Sequence, residues 1–131
     1  MENSIKLLIV GSSSILSLLF GGWSVLLQVL VIFIVIDYVT GLIAAGFNGK
    51  LNSRIGFRGI AKKIIILALV AVAHGIDVVL GGTSFFRDTV IFFYIINELI
   101  SIIENAGNVG LPIPTVLKEA IEALKKKGNK E

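Results

Sequence analysis

Three stretches of this chain, residues 23–47, 60–80 and 85–105, each stay predominantly apolar for more than twenty positions. About 20 such residues are what an α-helix needs to cross the ~30 Å hydrocarbon core of a bilayer. A transmembrane β-barrel would need ten-residue segments of alternating hydropathy, and these solid runs do not alternate. Of the 131 residues, 55% are hydrophobic and 16% charged, against about 45–50% and about 25% in soluble domains. The expected fold class is all-α: an integral membrane helical protein with three transmembrane helices, or four, in a single domain over residues 1–131.

The count turns on residues 5–20, which are apolar but short, with Ser12, Ser13 and Ser14 in their middle. They read as an interfacial helix or as a first membrane helix. A cleaved signal peptide fits poorly, because Lys6 is the sole preceding basic residue and no A-x-A site follows. Beyond residue 105, Gly107, Gly110, Pro112 and Pro114 interrupt the helix. Thr115 can cap a new one over residues 115–127. Val116, Ala120, Ala123 and Leu124 fall on one side of it, opposite Lys118, Glu119 and Glu122. This is a short amphipathic helix ending in a basic tail suited to anionic lipid.

Charge is distributed in blocks. Lys50, Arg54, Arg58, Lys62 and Lys63 form a basic loop containing no acid, and Lys125, Lys126, Lys127 and Lys130 enrich the tail. The excess of Lys and Arg assigns both segments to the cytoplasm, with the 81–84 link outside. Cysteine is absent and there is one histidine, which excludes a disulfide framework, thiolate chemistry and His-cluster metal sites. No phosphate-cradling glycine motif or nucleophile elbow occurs. His74 with Asp77 is a poor basis for catalysis. No enzyme activity, catalytic residue, cofactor or metal is expected. The basic loop is too short and too close to the membrane to favour nucleic acid over lipid.

The polar residues inside the spans carry the most information. A carboxylate at the centre of a membrane helix costs about 2.5–3.5 kcal/mol, so Asp37, Asp77 and Glu98 each need a cation, a proton or water. On the third span Tyr94, Glu98, Ser101 and Asn105 follow at steps of 4, 3 and 4, and Arg87 extends the same stripe. Asn97 neighbours it. Ile95, Ile96, Leu99, Ile102 and Ile103 would then face lipid. Such a stripe serves either an interhelical hydrogen-bond network or a water-lined path. Glu104 sits near the depth of Lys62 and Lys63, so it could pair with them, unless those lysines snorkel to head groups. Gly41 with Ala45, and Ala68, Ala71 and Gly75, form small-residue faces that let another helix approach closely.

The segment IDYVTGLIAAGFNGKLNSRIGFRGIAKK at 36–63 is followed by Asp77, Asn97-Glu98 with Ser101, Glu104-Asn105 and GLPIP at 110–114. This order resembles the toxin secretion/phage lysis holin family of Gram-positive bacteria and their phages, over about residues 20–125. The resemblance implies a multi-pass protein of the cytoplasmic membrane that forms homo-oligomers. At a set time these open lesions through which an endolysin, or a toxin, leaves the cytosol, without required direct contact between the two. Two other readings suit the residues alone: a small ion- or proton-coupled transporter or channel subunit, and a membrane anchor for a partner protein.

Overall fold

In the computed structural model, which describes residues 1–130, five helices follow one another: α1 (Glu2–Phe20), α2 (Val25–Phe47), α3 (Ser53–Val79), α4 (Phe85–Asn108) and α5 (Thr115–Lys130). No strand occurs among the described residues. The first four helices are long and apolar enough to cross a membrane. The segment 5–20 therefore belongs to a helix with the dimensions of a fourth span.

Local sequence explains where the helices begin and end. The Ser24 side chain accepts a hydrogen bond from the Leu27 amide, and Asn52 accepts one from the Ile55 amide. Each satisfies a first-turn donor of its helix. The Asn52 cap starts α3 seven residues before the expected position. Arg54, Arg58, Lys62 and Lys63 are consequently helical, and of the expected basic loop only Lys50 lies in the link. Thr115 is the first residue of α5 and not its cap; there the Leu117 amide donates to the Pro114 carbonyl.

The chain runs up and down. α4 packs most extensively on α2, α3 fills the other side of α4, and α1 leans on α3. The apolar core gathers Leu27, Leu30 and Ile34 from α2, Val70 from α3, and Ile91 and Ile95 from α4. Ile95 is thus a core residue and does not face lipid as expected. Ile91, Ile95 and Glu98 follow at steps of four and three, so all lie on the inward line of α4. Outward positions carry exposed large aliphatic and aromatic residues on each of the four membrane-length helices, among them Leu18, Val35, Ile64, Val79 and Phe93. A bilayer accommodates such a surface; water does not.

The amphipathic helix α5 does not stand apart on a surface. It folds back along α4, burying Ile121 and bringing Gly128 against Phe92 and Ile96.

Candidate functional site

Beside the apolar core, α2, α3 and α4 enclose a compact set of polar side chains. The Lys63 ammonium donates to both oxygens of Glu98, at 2.9 and 2.7 Å, and to Oδ2 of Asp37. Asp37 and Glu98 are buried, while Lys63 keeps 18% of its side chain exposed. The other Asp37 oxygen, Oδ1, accepts from Asn105 Nδ2 at 2.9 Å. That same amide group reaches the Asp37 carbonyl and the Thr40 hydroxyl oxygen, and Thr40 in turn donates to the Ile36 carbonyl. No buried side-chain nitrogen or oxygen among the described residues lacks a partner. One cation facing two carboxylates, with an amide closing the remaining side, offsets much of the cost of charge in a membrane interior.

Lys63 is the cation that the sequence reading did not assign to the acids. It sits ten residues into α3, and Asp37 and Glu98 lie about as far from the same end of their helices. The expected pairing of Lys62 or Lys63 with Glu104 is corrected: Lys63 turns inward to Asp37 and Glu98, whereas Lys62 and Glu104 are exposed. Positive-inside placement accounted for the whole basic block, which concealed the distinct role of its last member.

Asp77 lies at the opposite end and uses another solution. Its carboxylate accepts from the backbone amides of Phe86 at 2.9 Å and Arg87 at 2.8 Å. Both are otherwise unsatisfied donors in the first turn of α4. Asp77 is thus a cap borrowed from the preceding helix, held by the Gly81–Gly82 turn. The Arg87 guanidinium donates to Asp88 and to the Phe20 carbonyl at the end of α1.

The expected stripe on α4 therefore separates into parts. Glu98 and Asn105 belong to the Lys63 cluster, and Ser101 lines a crevice beside it. Tyr94 is half-buried at the core margin, and Arg87 fastens α1 at the far end. Asn97 is exposed on the α4 flank facing α5, beside Phe92, Ile96 and Lys125. The small-residue faces also divide. A Cβ on Gly41 would lie 3.5 Å from Asn105, so α4 of the same chain is the helix it admits. Ala45 lies half-buried beside it. On α3, Ala68 and Gly75 are exposed and Ala71 is half-buried. The inward positions of α3 are instead Val70, Ala73 and Asp77.

A crevice of about 480 Å³ opens beside the cluster, between Tyr38, Gly41 and Leu42 of α2, the first turns of α3, and Ser101 and Asn105 of α4. Arg58, Lys62 and Lys63 line its α3 wall. Gly59 lets Tyr38 pack close: a Cβ there would meet the ring at 3.1 Å, and the Tyr38 hydroxyl donates to the Gly56 carbonyl.

Residues 14–126 match the model of the bacteriophage holin family. Similar proteins include the uncharacterized protein Lin0175 of Listeria innocua, 53% identical over 92% of this chain and 86% of its own length. An uncharacterized 14.9 kDa protein of Clostridium perfringens, from the nagH 3′ region, is 44% identical over 95% of this chain and 96% of its own. A protein named probable holin, from Bacillus phage phi105, is 31% identical over 75% and 73%. No solved structure is significantly similar. With the family match spanning most of a chain built from membrane-length helices, the protein belongs to the bacteriophage holin family.

Proposed function

We propose that this chain assembles as a homo-oligomer in the cytoplasmic membrane. There it opens timed lesions that let a cell-wall-degrading endolysin, or a toxin, leave the cytosol. The observation that carries the reading is the closed polar seam of Asp37, Lys63, Glu98 and Asn105 inside a holin-family protomer. A chain of 131 residues is too small to enclose a protein-sized pore alone, so many copies must line one. In the resting protomer the seam is shielded between α2, α3 and α4 of one chain. Separation of α4 from α2 and α3 during assembly would turn the seam toward water. Lys50, Arg54 and Arg58 hold their end of the bundle on the cytoplasmic side, and the C-terminal helix α5 starts from that side before it folds back along α4.

Equal expression of Glu98→Gln and Glu98→Leu variants in cells holding a cytosolic endolysin tests this reading. Turbidity and membrane potential are followed together. Gln weakens the closed seam but keeps a wettable wall, so lysis comes earlier. Leu removes the wettable group, so potential collapse without prompt lysis, or no collapse, is expected. Wild-type timing and lesion size in both variants would sink the seam mechanism. Potential loss without lysis in the unmodified protein would favour a channel or transporter, and no effect from well-inserted protein would favour an anchor.

A further inference from the structure

The crevice beside the seam has a composition that the lesion mechanism does not use. Arg58 and Lys62 stand one helical turn apart on α3, both exposed and both on its wall. Among the described residues neither joins an ion pair; of the basic residues on α3, Lys63 is the one that does. Opposite them are the neutral hydrogen-bonding groups of Tyr38, Ser101 and Asn105, together with the Asp37 carboxylate, whose charge Lys63 already engages. Leu42 and Ile55 supply apolar wall in the same crevice, and at helical spacing the exposed Val39 and Val35 extend the line of Leu42 on α2 while the exposed Ile65 and Leu69 extend that of Arg58 and Lys62 on α3. Two unpaired cations, neutral polar groups and a flanking apolar surface together match a phosphate diester carrying hydrocarbon tails.

We propose that this crevice binds the head group of one anionic phospholipid per protomer. The phosphate sits between the Arg58 guanidinium and the Lys62 ammonium, a polar head-group substituent reaches toward Ser101 and Asn105, and an acyl chain runs from Leu42 toward the bilayer midplane along the exposed Val39 and Val35 of α2 and Ile65 of α3. Arg supplies a planar fork for phosphate oxygens and Lys a mobile point charge. Free inorganic phosphate shares the charged part of this chemistry but gains nothing from the apolar wall, which is the ground for assigning the site to lipid. The inference rests on membrane insertion of α2 and α3, and it is independent of lesion formation. Bound lipid would bridge α3 to α2 and α4 beside the seam, so head-group charge would bias its opening.

The test is native mass spectrometry of the purified full-length protein in detergent, titrated with phosphatidylglycerol or phosphatidylcholine of matched chains. One phosphatidylglycerol per protomer should be retained, with about tenfold preference over phosphatidylcholine, a difference of roughly 1.4 kcal/mol. Arg58→Gln/Lys62→Gln should lose the preference, Arg58→Lys/Lys62→Arg should keep it, and Lys126→Gln/Lys127→Gln should leave it intact. Unchanged elution and helicity of each variant separate lost binding from lost fold. Equal retention of both lipids would overturn the proposal, as would equal losses in the α5 control. Displacement of the lipid by millimolar inorganic phosphate would overturn the lipid assignment. None of these readouts requires a lesion, so failure here is distinct from failure of the holin mechanism.

Discussion

The Lys63 ammonium bridges Asp37 and Glu98, tying α3 to α2 and α4 through a single side chain. Removing it while leaving both acids in place should be more damaging than removing all three charges. Breaking a buried pair strands a desolvated charge and costs about 3–5 kcal/mol, whereas wholesale apolar replacement is often near neutral. Lys63→Met should therefore lower stability in detergent by about 3 kcal/mol. The triple variant Lys63→Met/Asp37→Asn/Glu98→Gln should recover most of that loss. Thermal unfolding of the two proteins side by side is the measurement. A triple variant no more stable than Lys63→Met would mean that the bridge does not hold the bundle together.

Asp77 and the α4 amides give a separate prediction. Asp77→Ala removes both acceptors for the Phe86 and Arg87 N–H groups, while Asp77→Asn keeps one carbonyl oxygen. Amide exchange at Phe86 and Arg87 should accelerate by about an order of magnitude in the alanine variant and less in the asparagine variant. Exchange farther along α4, at Ile95 or Glu98, should remain slow. Uniform acceleration along the helix would contradict a local cap.

Part of this arrangement was legible in the sequence. Membrane-length apolar runs fixed the number and class of the central helices, because span length is set by bilayer thickness. The need to neutralise Asp37 and Glu98 was equally clear. The partner was not, because Lys63 follows Arg54, Arg58 and Lys62 in a block that head-group attraction explains by itself. The missed signal was Asn52. Read as a cap, it starts α3 early and carries Lys63 nearly three turns into the helix, level with Asp37 and Glu98. Spacing groups Tyr94 with Glu98 as a polar face and so puts Ile95 outside it, whereas packing turns Ile95 inward. Ile91, Ile95 and Glu98 are one inward line, apolar at one end and ionic at the other. Asp77 capping the next helix depends on the Gly81–Gly82 turn, a tertiary relation that spacing alone does not encode.

Gly41 should tolerate Ala and resist Leu. Its Cβ position lies 3.5 Å from Asn105 Nδ2, an ordinary contact. A leucine there must displace the amide that holds Asp37 and Thr40. Overpacking of this kind costs about 1–3 kcal/mol. Truncating the obstacle should relieve it, so Gly41→Leu should cost less in an Asn105→Ala background than alone. A double-mutant cycle by thermal unfolding measures that coupling. An additive result would place the cost of Leu elsewhere, for instance in contacts between copies.

Gly21 controls how α1 is attached. No residue of α1 is buried, so its tether is concentrated at its end, where the Phe20 carbonyl accepts from Arg87 at 3.0 Å. Gly21 adopts φ 75°, and its amide closes the helix on the Ser17 carbonyl, a left-handed cap that glycine occupies at least cost. A Cβ at this position would stand 2.7 Å from His74 Cε1 and 3.0 Å from the Arg87 guanidinium. Gly21→Ala must therefore push away both His74 and Arg87 and break the tether. Because the chain contains no cysteine, a single Ser17→Cys substitution can carry a spin label without further engineering. In the Gly21→Ala background that label should become more mobile, and His74→Ala should restore part of the order by opening room for the methyl group. A spectrum unchanged by Gly21→Ala would mean that α1 is held by its long apolar surface and not by its cap.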